Sequence, residues 1–384
     1  MKLIQKNSIL NLIEIMLLTF ILNMNIVRTI TGIDQSIVYY FIYFAYIFTF
    51  FLYNFKFKDQ IKISNYSLII VFIIIYSFIL CITEFALEIW FKFLISIIIG
   101  VRTFLLSKTQ IIKVLKYTII INTIFSFICI FGFNFIFSRI ANNTENYLNV
   151  SLPIAFSCNV VSTVLLLGIA TKEKKLYVLF FLVLILGLAR FSARGNIIFI
   201  LVNIVIISII NIFIRSKKSI RKVIISIMFC LFIIYIYINF ASEYDVNRMN
   251  RIFTNINNEP RMILYTKYIS YLRQSDLVSI VFGHGLHSSY NILGIYPHNM
   301  FLEILGELGI IGICSVLIFM IKLCTNMLGE ITKKIGNNNK KYILLGLSCF
   351  TFYLMIFNKS YSIYDGYQLF ICMAILLNFT RKGI

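Results

Sequence analysis

The chain has 384 residues, of which 60% are hydrophobic and 13% charged, against the ~45–50% apolar share of a soluble domain. That excess excludes an ordinary water-soluble fold, and the scarcity of Gly (17) and Pro (3) excludes collagen-like or low-complexity chain. The formal charge is +20, from 35 Lys plus Arg against 15 Asp plus Glu. On a soluble chain this balance would point to nucleic acid. In so apolar a chain the position of the cations matters more than their sum, and no nucleic-acid partner is expected.

Apolar runs of ~20 residues recur along the chain, the length that carries a helix across ~30 Å of hydrocarbon. A transmembrane barrel would instead alternate apolar and polar residues in segments of ~10. Twelve spans are predicted, at 8–27, 36–53, 67–83, 86–101, 117–137, 153–171, 176–189, 195–214, 223–241, 301–321, 342–357 and 367–380. The expected architecture is an all-α polytopic membrane protein, with residues 1–384 forming one integral membrane domain. Lys2 and Lys6 precede the first run and no small-residue cleavage site follows it, so this run is expected to remain as the first membrane helix. The eight cysteines sit mostly inside apolar runs without a CxxC pair, and are read as small core residues rather than disulfide or zinc ligands.

Numbering the linkers alternately from a cytoplasmic N-terminus places 24 of the 35 basic residues on the inner side, which supports twelve spans with both termini cytoplasmic. The two sides differ in chemistry as well. The inner set holds 20 Lys and 4 Arg, whereas the remainder holds 8 Arg (Arg28, Arg139, Arg190, Arg194, Arg248, Arg251, Arg261, Arg273) and 3 Lys (Lys92, Lys267, Lys359). Topology needs only positive charge, while a planar guanidinium fork suits bidentate binding of phosphate or carboxylate. Arginine concentrated on the outer side points to an anionic ligand there, with snorkelling to headgroups as the alternative for any single residue. Lys92 lies four residues after Glu88 on one helix face and is assigned to that pair.

Residues 242–300 form the one long connection and fall on the outer side. The segment opens with a polar stretch carrying Arg248, Arg251 and Arg261, and continues into a run where Tyr265, Tyr268, Ile269 and Leu272 recur at helical spacing. That pattern predicts an amphipathic helix over a cavity mouth or in the interface. The sequence GHGLHSSYNILGIYPHN then holds all three histidines, His284, His287 and His298. His298 follows Pro297 at the predicted start of the tenth span, and Asn299 reads equally as a helix cap or a ligand. Glu303 and Glu307 share one helix face inside that span, where a carboxylate is costly unless paired, so an arginine partner is expected. Glu243 and Asp245 are the nearest approach to an acidic metal site, and no metal or cofactor is expected.

His298 and Asn299, with Gly309 and Gly312, spell H-N-x9-G-x2-G, after a GHG turn, an outer-loop arginine in EPRMILY, and an RFSARG turn at 190–195. This series resembles the O-antigen ligase and Wzy-type O-antigen polymerase superfamily, over roughly 190–315 by motif and elsewhere by topology only. The arginine motif R-x3-L of the ligases is not matched, because Tyr265 stands at that spacing after Arg261. The resemblance implies a GT-C-like membrane glycosyltransferase of the cytoplasmic membrane, with its site on the outer face. Its donor and acceptor would be polyprenyl-diphosphate-linked oligosaccharides, and membrane lipids and a chain-length regulator would be its partners. It implies His298, Arg261 and Arg194 as catalytic residues, and Arg190, Arg248, Arg251, His284, Asn299 and Glu307 as substrate-binding residues. Sugar transfer from a lipid diphosphate needs cations for the leaving group and a base for the acceptor hydroxyl, both available here without a metal. A polymerase is expected. A ligase differs only in its acceptor, and a lipid-linked oligosaccharide flippase or another twelve-span carrier is the alternative from a different class.

The topology is testable after replacing the eight native cysteines. A cysteine introduced at Asn257 should react with an impermeant thiol reagent added from outside, while one at Gly336 should not. The reverse labelling would overturn the placement of the histidine segment.

Overall fold

The computed structural model describes residues 2–24, 26, 43–46, 48, 65–84, 86–131, 144–169, 172–190, 194–214, 228, 231–235, 260–333, 337–359 and 361–380. Among these residues every regular element is helical and no strand is present. In chain order they are α1 (Lys2–Leu22), α2 (Asn65–Glu84), α3 (Leu87–Phe104), α4 (Lys108–Phe131), α5 (Thr144–Leu167), α6 (Lys174–Arg190) and α7 (Arg194–Ile214). Then follow α8 (Pro260–Gln274), α9 (Leu277–Phe282), α10 (Ser288–Leu293), α11 (Met300–Thr332), α12 (Asn337–Phe357), a 3-10 turn (Ile363–Asp365) and α13 (Tyr367–Thr380).

Ten of the predicted spans coincide with these helices; those at 36–53 and 223–241 lie largely outside the described residues. By length and composition, four stretches can cross a membrane: Lys108–Ile130, Val150–Leu167, Met300–Thr332 and Asn339–Phe357. Ile9–Leu22, Leu68–Cys81, Gly195–Asn211 and Tyr367–Thr380 are apolar over shorter lengths. Large apolar side chains such as Leu68 and Ile79 on α2 and Leu317 and Ile321 on α11 stand exposed on the surface of the bundle. So much outward apolar surface suits lipid and not water, and the protein is a membrane-embedded helical bundle. The helices run longer than the apolar runs. The linker predicted at 102–116 shrinks to 105–107, because α4 starts at Lys108, and α5 begins ahead of Pro153, which stands inside it.

Within lipid, apolar contacts discriminate little between helix partners, so polar contacts and close packing carry the specificity. Asn159 of α5, Asn203 of α7 and Ser348 of α12 meet in the buried centre. The Asn203 amide donates to the Asn159 side-chain oxygen (2.8 Å) and to the Ser348 carbonyl (2.7 Å). Thr351 donates to the Asn203 side-chain oxygen (2.6 Å), and the Thr163 and Ser348 hydroxyls lie 2.6 Å apart. Gly346 lets α12 approach α13, since a Cβ there would stand 2.9 Å from the Leu376 Cα.

A second buried contact was not anticipated. Glu14 of α1 forms an ion pair with Arg102 of α3, and both side chains are almost wholly buried. Gln110 bridges to it from α4, through Asn11 (3.2 Å) and Glu14 (3.4 Å). Arg102, counted above among the inner cations, is therefore a packed residue and not a loop charge. Five described cysteines are buried as expected, while Cys314 and Cys324 are exposed on α11.

Removing one member of such a pair leaves an uncompensated charge in a low-dielectric interior, at about 3–5 kcal/mol. Arg102→Met should lower the melting temperature in detergent sharply, and Glu14→Leu combined with Arg102→Met should recover most of the loss. A double variant no better than the single one would show that the pair does not act as a unit.

Candidate functional site

Helix α11 is broken at Gly309, whose backbone (φ 65°, ψ −165°) lies in a region that only glycine occupies readily. A break in a helix strands the carbonyls of the preceding turn, and in a buried setting each must find another donor. The GHG turn supplies them. The His284 N–H donates to the Gly306 carbonyl (2.9 Å) and the Gly285 N–H to the Glu307 carbonyl (3.1 Å). Tyr76 of α2 completes the junction: its hydroxyl donates to the Phe282 carbonyl (2.7 Å) and lies 3.2 Å from that of Leu308.

This crossing explains the glycines. Gly283 (φ 88°, ψ 170°) shares the glycine-only conformation of Gly309. A Cβ on Gly283 would collide with the Glu307 carbonyl oxygen, and one on Gly309 with that of Val281. The two chain segments touch backbone to backbone.

The carboxylates below the turn hold it from the side. Glu307 accepts hydrogen bonds from the His287 N–H (2.9 Å) and from the Ser289 and Tyr364 hydroxyls. Glu303 accepts from the Ser362 hydroxyl (2.5 Å) and the Ile363 N–H (2.9 Å). An arginine partner was expected for this pair of carboxylates; among the described residues, Glu307 instead meets two hydroxyls and an amide, which satisfy both of its oxygens. Burial first, then the nearby Glu307 and Glu303, push the Tyr268 and Tyr364 phenols above their usual range, so both remain neutral. Ser289, Ser362 and Tyr364 carry no sequence signal that marks them. Ser289 reaches Glu307 from the start of α10, and Ser362 and Tyr364 reach the carboxylates because the 362–364 turn folds back over the start of α11.

A helix stands where the spacing of Tyr265, Tyr268 and Leu272 predicts one, and this helix, α8, packs against α10. Its tyrosines recur every third residue and each meets a different landmark. The Tyr265 hydroxyl donates to the His298 carbonyl (3.2 Å), Tyr268 is fully buried against Gly306, and the Tyr271 ring stands 5.1 Å from that of His284. Ile269, expected on the buried face, is 37% exposed. Arg261 opens this helix one turn before Tyr265 and on the same face, towards the His298 end.

The predicted site residues divide as follows. Asn299 caps α11, its side-chain oxygen accepting from the Phe301 (3.0 Å) and Leu302 (3.1 Å) N–H groups. His284 places its Nε2 2.9 Å from the Ser275 hydroxyl. His298 precedes the cap in a left-handed conformation (φ 54°), with its ring edge-on to Tyr296 at 5.0 Å. Arg190 closes α6 and Arg194 opens α7. Arg248, Arg251, Glu243 and Asp245 lie outside the described residues.

Lys359 was not assigned to the site, yet a Cβ on Gly195 would collide with its amine, so Gly195 makes room for this cation at the start of α7. Lys92 pairs with Glu88 as expected (2.9 Å), but its charge also reaches His287. Among the described residues no three His, Cys, Asp or Glu side chains gather to hold a metal ion. A cavity of about 360 Å³, lined by Lys116, Val164, Lys172 and Tyr342 among others, lies at the opposite end of the bundle from the histidines.

No family model, no curated protein and no solved structure matches this chain.

The crossing of Gly283 and Gly309 is testable against Gly329, around which a Cβ would meet nothing within 4 Å. Gly309→Ala and Gly283→Ala should each destabilise the protein by at least about 1–3 kcal/mol. Gly329→Ala, in regular helix, should be neutral or stabilising by up to about 1 kcal/mol. Equal melting temperatures for all three variants would rule out the crossing.

Proposed function

We propose that this protein is a membrane glycosyltransferase that joins polyprenyl-diphosphate-linked oligosaccharide repeats into a surface polysaccharide, on the outer face of the cytoplasmic membrane. One observation carries the reading: Gly309, a glycine of the H-N-x9-G-x2-G series, is where α11 breaks, and that break holds the three-histidine segment in place. The same end of the bundle carries Arg261, the α6–α7 corner with Arg190 and Arg194, and Lys359.

In this mechanism the acceptor hydroxyl oxygen forms a bond to the anomeric carbon of the donor while the bond from that carbon to the diphosphate oxygen breaks. The diphosphate leaves as an anion, held by the guanidinium forks of Arg194 and Arg261. The hydroxyl proton passes to the neutral imidazole of His298 and from there to water. A diphosphate is a good leaving group, so the chemistry needs a base and cations more than a general acid. A ligase would follow the same steps with a different acceptor. The mismatch of Arg261 and Tyr265 to the ligase motif favours the polymerase. A carrier reading draws on the buried Glu14–Arg102 pair, since ionisable residues inside a bundle often mark a transport path.

Cells carrying His298→Ala should lose polymer and accumulate the single lipid-linked repeat on the outer face, because removing a positioned base costs ~10²- to 10⁴-fold. His298→Gln should be equally inactive if the proton is transferred. Arg194→Lys and Arg261→Lys should lose most activity at unchanged protein level, since they keep the charge and lose the fork. Wild-type polymer in all four variants would refute the reading, and a repeat trapped on the inner face would favour a flippase.

A further inference from the structure

Among the described residues, two non-glycine residues have a left-handed backbone, and both are histidines of this segment: His287 (φ 70°) and His298 (φ 54°). Such a conformation costs about 1–3 kcal/mol and persists only where the surroundings over-determine it. At His287 the surroundings do so from both sides. Its N–H is held by Glu307 (2.9 Å), and its carbonyl accepts from the N–H groups of Tyr290 (3.1 Å) and Asn291 (3.2 Å) at the start of α10. Glu307 is itself fixed by Tyr364, which α3 supports through Phe93, at a ring distance of 5.8 Å, and through Ser96.

All this restraint presents one side chain. The His287 ring is half-buried and stacks on Tyr290 at 4.7 Å and 11°, with Tyr290 42% exposed. Neither ring nitrogen hydrogen-bonds a described residue, in contrast to His284, whose Nε2 meets Ser275. Burial, and then the Lys92 cation, hold the imidazole below its usual pKa, so it is neutral and offers one donor and one acceptor. Glu307 lies eight residues beyond Asn299, about 12 Å along a helix at ~1.5 Å per residue. The two strained histidines are therefore held at different depths along α11, further apart than one sugar ring spans.

We infer that His287 is a saccharide-contacting residue, its imidazole hydrogen-bonding a hydroxyl of an extended oligosaccharide that runs along the first turns of α11 between His287 and His298. This rests on the glycosyltransferase reading for the ligand class and goes beyond it, adding a second and deeper contact to the chain of sugars. Small ligands would engage one histidine; a multi-sugar repeat engages both.

Two substitutions keep the backbone and remove the imidazole, because glycine and asparagine both accept the left-handed conformation. The assay uses purified full-length protein in nanodiscs, with the lipid-linked repeat extracted from the producing cell. His287→Gly and His287→Asn should melt within a few degrees of the wild type. Each should raise KM by about tenfold or more, the weight of one or two lost hydrogen bonds, with kcat changed less. Added imidazole should restore part of the His287→Gly loss. Wild-type KM in both variants would overturn the inference and leave the transferase reading standing. If the wild type does not turn over the lipid-linked repeat, that reading fails instead, and the inference is judged by binding of the water-soluble oligosaccharide released from it. Affinity lost in His287→Gly would support the contact, and no difference, or no binding by the wild type, would overturn it.

Discussion

The constraint on which the rest of this structure depends is the backbone crossing of Gly283 and Gly309. A helix that breaks inside a bundle must re-satisfy the carbonyls it frees, because neither lipid nor a packed core offers water to do so. Here the N–H groups of His284 and Gly285 take the carbonyls of Gly306 and Glu307, and Tyr76 serves Phe282 and Leu308. Neither glycine would allow the contact with a side chain in place. Because the GHG turn is part of this junction, the path of the chain from His284 to His298 is fixed relative to α11.

The two carboxylates below the junction show how a membrane-embedded bundle handles acidic groups. Glu14 meets a counter-charge, Arg102, deep between α1 and α3. Glu303 and Glu307 instead collect hydroxyl and amide donors from chain segments far apart in sequence. At Glu307 this second solution places two hydroxyls and an amide where a counter-charge would otherwise stand. Arginines neutralised by Glu307 could not also hold an anionic ligand, so a carboxylate satisfied by neutral donors is compatible with a cationic binding site beside it.

The two ends of the bundle differ in chemistry. The linkers and helix ends at one side carry lysines, among them Lys108, Lys172, Lys174, Lys175, Lys340 and Lys341. The other side carries the histidine segment, Arg261, the end of α6 and the start of α7, the 362–364 turn and one lysine of the α12 end, Lys359. Lysine supplies a strongly hydrated point charge suited to an aqueous interface, while arginine and imidazole supply directed hydrogen bonds. That division supports a ligand site at the histidine-bearing end.

Much of this arrangement was legible in the sequence. Long apolar runs dictate helices, since a chain in hydrocarbon must satisfy its own backbone; ten such runs coincide with helices, and four stretches are long and apolar enough to cross a membrane. The tyrosines of α8 and the cap at Asn299 follow from local periodicity and from side-chain chemistry close in sequence. The carboxylate partners did not follow. Tyr364 reaches Glu307 across 57 residues, and Arg102 reaches Glu14 across 88, so no spacing rule connects them. The same holds for His287, whose strained backbone is imposed by Glu307 twenty residues later. Composition and periodicity act through each residue and its near neighbours, and determined the helices and the identity of the polar groups. Which of those groups meet depends on how the helices pack, and only the tertiary structure decided that.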